Sequence, residues 1–342
     1  MKNLCVAFLY NVRHVYPDAN DPRSQLETDF DDPETIENIV RHLQEAGYEV
    51  LPIEANEDAY LHLKENKSKI DIALNYSEGI YGADREAQVP AMLEMLQIPY
   101  TGSAPLTQAL CLNKAKAKEI LLAHGIKTAP FQLFEKGDEP LEPQITFPAI
   151  VKPVSQGSSA GIVDKSVVDN EAQMREQVKW SIQTFHQGAL VEPFLPGREF
   201  SVPMLGNPPE ILPIIEADHD HLPTKYRKID SLEVKWEFEE EADNNHLICP
   251  AKMDPLLQKK VEDLCLQTWK ALGLRDICRM DVRCDSQGEP HLIEVNSPAG
   301  MLPPEVSQTS YLPLAARKKG WEYQELIRRI LETALKRLGK VS

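Results

Sequence analysis

Nowhere in its 342 residues does the sequence approach the ~20 consecutive apolar residues that a bilayer-crossing helix needs. Its apolar opening, Leu4 to Tyr10, is too short for a signal-peptide core, and no small-residue cleavage site follows it. A cytoplasmic protein with no membrane partner is therefore expected. Positive charge is scarce. The 37 Lys and Arg are outnumbered by 53 Asp and Glu, giving a formal net charge of −16. That argues against a nucleic-acid partner, because binding along phosphates needs an excess of cations. The six cysteines show no CxxC or zinc-like spacing and read as reduced, buried thiols. Both glycine fingerprints are missing as well. Without GxxxxGK[ST] there is no P-loop, and without GxGxxG there is little support for a nicotinamide-dependent dehydrogenase.

What is present is an alternation of helix and strand. Leu4 to Tyr10 reads as a first strand, followed by an acidic irregular stretch from Asp18 to Asp32. A helix is expected next, with Asp32 as its N-cap, Pro33 in its first turn and Gly47 at its end. Ile36, Ile39, Val40 and Leu43 fall on one face of it. Tyr48 to Ile53 and Ile70 to Asn75 read as strands, which makes the opening unit α/β with a parallel sheet. Arg85 to Leu96 and Lys114 to His124 read as helices, Ile145 to Lys152 as a strand and Val168 to Phe185 as a helix. Strands are expected over Ala189 to Phe194, Glu199 to Leu205 and Glu210 to Glu216. A long polar loop, Asp218 to Asn245, comes next. The helix Leu256 to Leu272, the strands Cys278 to Cys284 and His291 to Asn296, and the helix Tyr323 to Leu338 close the chain.

Three segments carry chemistry. In the last hairpin, the two-residue period of a strand puts Arg279 and Asp281 on one face, and Glu294 and Asn296 on one face of the partner strand. Two carboxylates and an amide suit a hard cation such as Mg²⁺ shared with a nucleotide triphosphate. The same hairpin could equally be a plain polar outer face. The second segment runs from Lys152 through Gly157, Ser158 and Ser159 to Gly161. There a strand delivers a lysine into a turn of small residues whose backbone N–H groups could approach phosphate oxygens; otherwise it is a flexible surface turn. In the third, Glu192 to Phe200, Glu192 could accept from an adenine amino group and Glu199 from ribose hydroxyls. They could also be two exposed glutamates flanking a Pro-Gly turn.

The order of these segments, with Ile98-Pro99-Tyr100-Thr101-Gly102-Ser103 and Leu112-Asn113-Lys114 ahead of them, resembles the ATP-grasp superfamily. Within it the likeness is to the D-alanine–D-alanine ligases, from about residue 70 to the C-terminus. The resemblance implies an ATP-grasp fold preceded by an N-terminal parallel-sheet domain. The expected units are an N-terminal substrate domain over 1–103, a central ATP-grasp subdomain over 104–188 and a C-terminal subdomain with the metal site over 189–342. It implies that Lys114 and Lys152 bind phosphates, Glu192 and Leu195 adenine, and Glu199 ribose. Asp281, Glu294 and Asn296 would hold two Mg²⁺ or Mn²⁺. Ser158 would close over the γ-phosphate, and Lys235 would be presented to the site by the long loop. The implied activity is ATP-dependent joining of two amino acids through an acyl-phosphate, with Arg279 and the Gly300 N–H stabilising the oxyanion. Small amino acids, a homodimer and a role in cell-wall biogenesis belong to the same expectation.

The likeness fails where a substrate would be read. The N-terminal motif that reads the first amine has no counterpart after Tyr10-Asn11, and Glu27, Asp29, Asp31 and Asp32 lie nearby without clear alignment. The family's His-Gly is Glu78-Gly79, and its loop tyrosine is Trp236. The metal strand ends Asn296-Ser297-Pro298-Ala299-Gly300, with about five extra residues before Ser310-Tyr311. Ser310 matches the serine that holds the second carboxylate. A different amino-acid or peptide pair is the alternative, and a non-catalytic ATP-binding module a more distant one.

Overall fold

The first strand, β1 (Cys5–Tyr10), is buried along nearly its whole length, as a central parallel strand should be. The computed structural model describes residues 4–16, 18, 24, 27–235 and 246–341. Helix α1 (Pro33–Glu45) follows and turns Ile36, Ile39 and Leu43 inward. Asp32 does stand at its N-cap, but its side chain makes no capping hydrogen bond. The carboxylate lies 3.5 Å from Arg13 instead. Strand β2 (Glu49–Glu54), helix α2 (Ala59–Asn66) and strand β3 (Ile72–Asn75) complete a sheet of order β2-β1-β3. All its pairings are parallel, so the helical crossovers are obligatory. A 3-10 turn over Arg85–Ala87 leads into α3 (Gln88–Met95).

Helices α4 (Pro105–Leu112) and α5 (Lys114–Ala123) come next, with Asn113 capping α5 by accepting from the Lys116 N–H. Strands β4 (Gln132–Phe134), β5 (Ala149–Pro153) and β6 (Val167–Val168), helix α6 (Glu171–Phe185) and strand β7 (Ala189–Pro193) build a second, antiparallel sheet of order β4-β7-β5-β6. Val168, expected to open a helix, ends β6. Asn170 caps α6 instead, accepting from the Gln173 N–H. Met174 and Val178 of α6 pack on Phe134, Val151 and Val191 of the sheet.

The third sheet contains β8 (Glu199–Gly206), β9 (Pro209–Ile211), β10 (Ile215–Ala217) and β11 (Leu247–Ile248), followed after α7 (Pro255–Leu272) by β12 (Ile277–Cys284) and β13 (Pro290–Asn296). Its order is β11-β10-β8-β12-β13, with β9 on β8. Val261, Leu264, Cys265 and Trp269 of α7 cover one face and meet Leu121 of α5. Burial of each such side chain contributes roughly 1.5–3 kcal/mol. The last helices, α8 (Tyr311–Lys318) and α9 (Tyr323–Arg337), reach back to the first sheet. Leu326, Ile327, Ile330 and Leu331 share one core with Val6, Phe8, Ile39 and Leu74 on one side and Leu205 and Ile215 on the other. Arg337 fixes the end of α9, reaching Asp276 at 2.8 Å and the Tyr100 carbonyl at 2.9 Å. Among the described residues no helix is long and apolar enough to cross a membrane.

Candidate active site

A cleft opens between the second and third sheets. Its walls bring together Lys152, Ser158, Glu192, Leu195, Glu199, Lys235, Arg279, Asp281, Glu294, Asn296 and Tyr311. Residues scattered over nearly half the chain thus meet in one place.

The floor is the β12–β13 hairpin. Asp281 pairs directly with Glu294 and Arg279 with Asn296, and an irregularity follows Asp281 where the register shifts. Such a bulge is a common way of re-aiming a side chain beside a site. Asp281 accepts from Ser201 at 2.6 Å, from Arg279 at 3.1 and 2.9 Å, and from Asn296 Nδ2 at 2.9 Å. Because Asn296 donates through Nδ2, its Oδ1 is left as a ligand atom. Glu294 lies 2.7 Å from Lys114 Nζ. Burial raises the Glu294 carboxyl, but Lys114 leads the cations that outweigh it and hold it below the ordinary value. Two carboxylates and an amide oxygen at matched register fit a hard divalent cation.

The opposite wall holds a buried ion triad. Glu192 on β7 receives Lys118 at 2.8 Å and Lys152 at 2.5 Å. Burial opposes ionisation of Glu192, yet the two lysines bring its pKa down to about 2. One net positive charge remains over the triad, as a phosphate site requires. Two carboxylate lone-pair sites also stay open for an outside donor. Lys118 was not singled out from the sequence, although it sits one helical turn beyond Lys114. Lys114 itself hydrogen-bonds the Gln156 carbonyl and so ties α5 to the Gly/Ser turn. In that turn Ser158 and Ser159 take φ of 44° and 61°. Consecutive non-glycine residues in the left-handed region are strained, a feature that concentrates at ligand sites.

At the far end, Glu199 on β8 faces Arg283, which donates to it at 2.7 Å. His219 lies 3.0 Å from the same oxygen. Burial raises the Glu199 carboxyl, and Arg283 and His219 override it, so its pKa is lowered. Arg283 and Ser201 were also missed, though strand period 2 places them on the faces of Asp281 and Glu199. Tyr311 donates to Asp230 at 2.8 Å and lies under the Arg279 guanidinium at 4.9 Å.

Among the described residues, Ser310, Gly300 and Glu78 do not line the cleft. Ser310 stands at the N-cap of α8, where its hydroxyl accepts from the Leu302 N–H at 3.1 Å. Gly300 is exposed. Trp236 lies outside the described residues. Glu78 belongs to an acidic group with Glu86, Asp29 and Asp31 around Arg85. Arg85 pairs with Asp29 at 2.7 Å and donates to the Ser155 carbonyl at 2.9 Å. Burial, reinforced by Glu86 and Asp29, pushes the Glu78 carboxyl well above its ordinary value. Burial likewise pushes Glu86 up to about 8 despite Arg85. The group abuts the Gly/Ser turn, for a Cβ on Gly157 would stand 2.7 Å from Asp29 Oδ1.

Two antiparallel sheets closing on a cleft of this composition define an ATP-grasp enzyme. Residues 120–332 match the family described as D-ala D-ala ligase C-terminus. The chain is 32% identical over 316 residues to a D-alanine–D-alanine ligase of Pelotomaculum thermopropionicum, covering 89% of this chain and 92% of that one. It is 33% identical over 308 residues to an uncharacterized protein of Sinorhizobium fredii, covering 88% and 87%. The crystal structure of a D-alanine–D-alanine ligase from Bacillus anthracis complexed with ATP superposes with a TM-score of 0.71 at 25% identity, covering 97% of this chain and 98% of that one. The chain belongs to the D-alanine–D-alanine ligase family. It is an ATP-dependent ligase that forms a C–N bond and releases ADP and phosphate.

Proposed function

We propose that this ligase joins two small amino acids, D-alanine or close analogues, at the cleft between the second and third sheets. The observation that carries the reading is the meeting of Lys114 with Glu294 opposite Asp281, because it puts phosphate-neutralising and metal-holding groups side by side. In this reading Lys114 and Lys152 take the phosphates, Glu192 and Leu195 the adenine and Glu199 the ribose. Asp281, Glu294 and Asn296 would hold two Mg²⁺ or Mn²⁺, which neutralise triphosphate charge when bound.

The chemistry follows from the electrophile. A carboxylate repels nucleophiles and has no good leaving group. One carboxylate oxygen of the first amino acid attacks the γ-phosphorus, the bond to the ADP oxygen breaks, and an acyl-phosphate forms. The neutral amine of the second amino acid then attacks the acyl carbon. Phosphate departs with the bonding electrons, and the amine loses its proton. The work asked of the protein is positioning and charge stabilisation. The Arg279 guanidinium and the Gly300 N–H serve the oxyanion, Ser158 and Lys235 the γ-phosphate, and Ser310 and Tyr311 the second substrate.

The acidic group around Arg85 favours a second reading, in which the first substrate differs from D-alanine. Burial and mutual repulsion raise the Glu78 and Glu86 carboxyls, and a positively charged group on the substrate would relieve that repulsion, so a first substrate with more positive charge than one ammonium suits them. The three sheets support a division into units over 1–103, 104–188 and 189–342. Trp236 as a substrate lid, a homodimer, a cytoplasmic location and cell-wall biogenesis belong to the same proposal. Phosphate release from Mg-ATP, screened with D- and L-amino acids singly and in pairs with mass spectrometry of products, tests it. A dipeptide from D-alanine alone supports the first reading and a dipeptide from another pair the second. No amino-acid-dependent release would sink both.

A further inference from the structure

We propose that His219, Asp230 and His246 form a binding site for a zinc-like transition metal, separate from the magnesium site and seated at the ribose end of the cleft. One ligand atom from each lies within 4.8 Å of the others. His219 Nδ1 stands 3.7 Å from Asp230 Oδ1, and His246 Nε2 stands 3.4 Å from the same oxygen. A tetrahedral ion with ligands at its usual distances requires ligand atoms about 3.3 Å apart. Both imidazole–carboxylate separations are therefore within a few tenths of an ångström of that spacing, and the two imidazoles, whose ligand atoms lie within 4.8 Å, would draw together on an ion.

The hydrogen bonds of His219 point the same way, while His246 Nε2, within hydrogen-bonding distance of Asp230 Oδ1 at 3.4 Å, would exchange that contact for the ion. His219 Nε2 lies 3.0 Å from a Glu199 oxygen, which fixes that nitrogen as the donor. The other nitrogen, Nδ1, then carries a lone pair, is buried, and has no hydrogen-bond partner. It faces the Asp230 carboxylate, so two electron-rich atoms oppose each other with no proton between them. At 3.7 Å the two atoms are too far apart for a direct hydrogen bond, and a metal ion between them would satisfy both. Carboxylates that orient metal-binding histidines, and partners that orient metal-binding carboxylates, are the usual outer shell of such sites. Glu199 holds His219 here, and the Tyr311 hydroxyl holds the other oxygen of Asp230 at 2.8 Å.

Two imidazoles and one carboxylate select Zn²⁺, Co²⁺ or Ni²⁺ over Mg²⁺. Both histidines are buried, whereas Asp230 lines the cleft, which gives an ion its way in and a water its place as fourth ligand. The ligands come from the beginning, middle and end of the connection between β10 and β11. One ion would thus tie His219, Asp230 and His246 to one another beside Glu199. Through the Asp230 carbonyl, which accepts from Ser159 Oγ at 2.7 Å, it would also fasten them to the Gly/Ser turn.

The test uses the full-length protein, stripped of metal with a chelator and titrated with Co²⁺ in excess Mg²⁺. Visible absorption and metal analysis of the dialysed protein are the readouts. Binding of about one equivalent, with the intense bands of a four-coordinate ion, is expected in the wild type and in Glu294→Gln. Affinity should fall about tenfold or more in His246→Gln and Asp230→Asn. Absence of stoichiometric Co²⁺ in the wild type overturns the proposal whether or not the variants fold. So does loss of the ion in Glu294→Gln, which would place it at the magnesium site, or unchanged binding in folded His246→Gln.

Discussion

Lys114 Nζ and Glu294 Oε1 meet at 2.7 Å, joining the first residue of α5 to the middle of β13. The pair links the helix that opens the ATP-binding half to the strand that holds the candidate metal ligands. In the proposed function the ammonium would also serve the triphosphate, which makes the pair a contact to be shared rather than a fixed strut.

Replacing Lys114 by Met should therefore harm turnover more than folding. A hydrogen bond to a charged group is worth about 1.5–3 kcal/mol. Steady-state kinetics should show kcat/KM for ATP falling roughly 10- to 100-fold. An unchanged value would remove Lys114 from the phosphate site.

Glu192 makes the opposite case. Glu192→Gln leaves Lys118 and Lys152 buried without a counter-charge, at a cost of about 3–5 kcal/mol. Urea unfolding should show it. The wild-type group also predicts an acid limb. With its folded pKa near 2 against an ordinary 4.5, Glu192 contributes stability above pH 4.5 that is lost as pH falls toward 2. The variant should lack that limb, and a variant as acid-sensitive as the wild type would contradict the triad.

Glu86 runs the other way. Its folded pKa of about 8 lies above the ordinary 4.5, so its contribution is full below pH 4.5 and lost as pH rises through 8. Glu86→Gln should flatten this decline in thermal melts taken between pH 5 and 9. A wild-type slope retained in the variant would assign the decline to other groups.

Gly161 is the clearest steric test. Its φ is +74°, and an added Cβ would stand 2.4 Å from Pro153 Cγ and 2.6 Å from Phe185 Cε2. Gly161→Ala should destabilise the second sheet by about 1–3 kcal/mol, the range for overpacking. A melting temperature equal to that of the wild type would show that the turn can move aside.

Much of this site could be read from the chain because strands keep a fixed period. Arg279, Asp281, Glu294 and Asn296 share a face by spacing alone, and a short turn forces the two strands together. Arg283 and Ser201 obey the same rule but carried no motif to draw attention. Lys118 becomes important only when α5 lies against β7, and no local pattern encodes that approach. The acids near Asp29 could not be ranked from sequence, because what distinguishes Asp29 is Arg85, 56 positions away. The short helices α2, α4 and α8 escaped notice for a different reason. Eight residues give too few turns for a helical period to stand out, and tertiary packing supplies most of their stability.

The return of α9 to the first sheet bears on how such enzymes can be recombined. Leu326, Ile330 and Leu331 complete the core over Val6 and Phe8, although more than 300 residues separate them in sequence. An N-terminal unit moved into a chimaera without that helix would arrive with its apolar face open to water. Any graft meant to exchange substrate preference must take both ends of the chain from one parent.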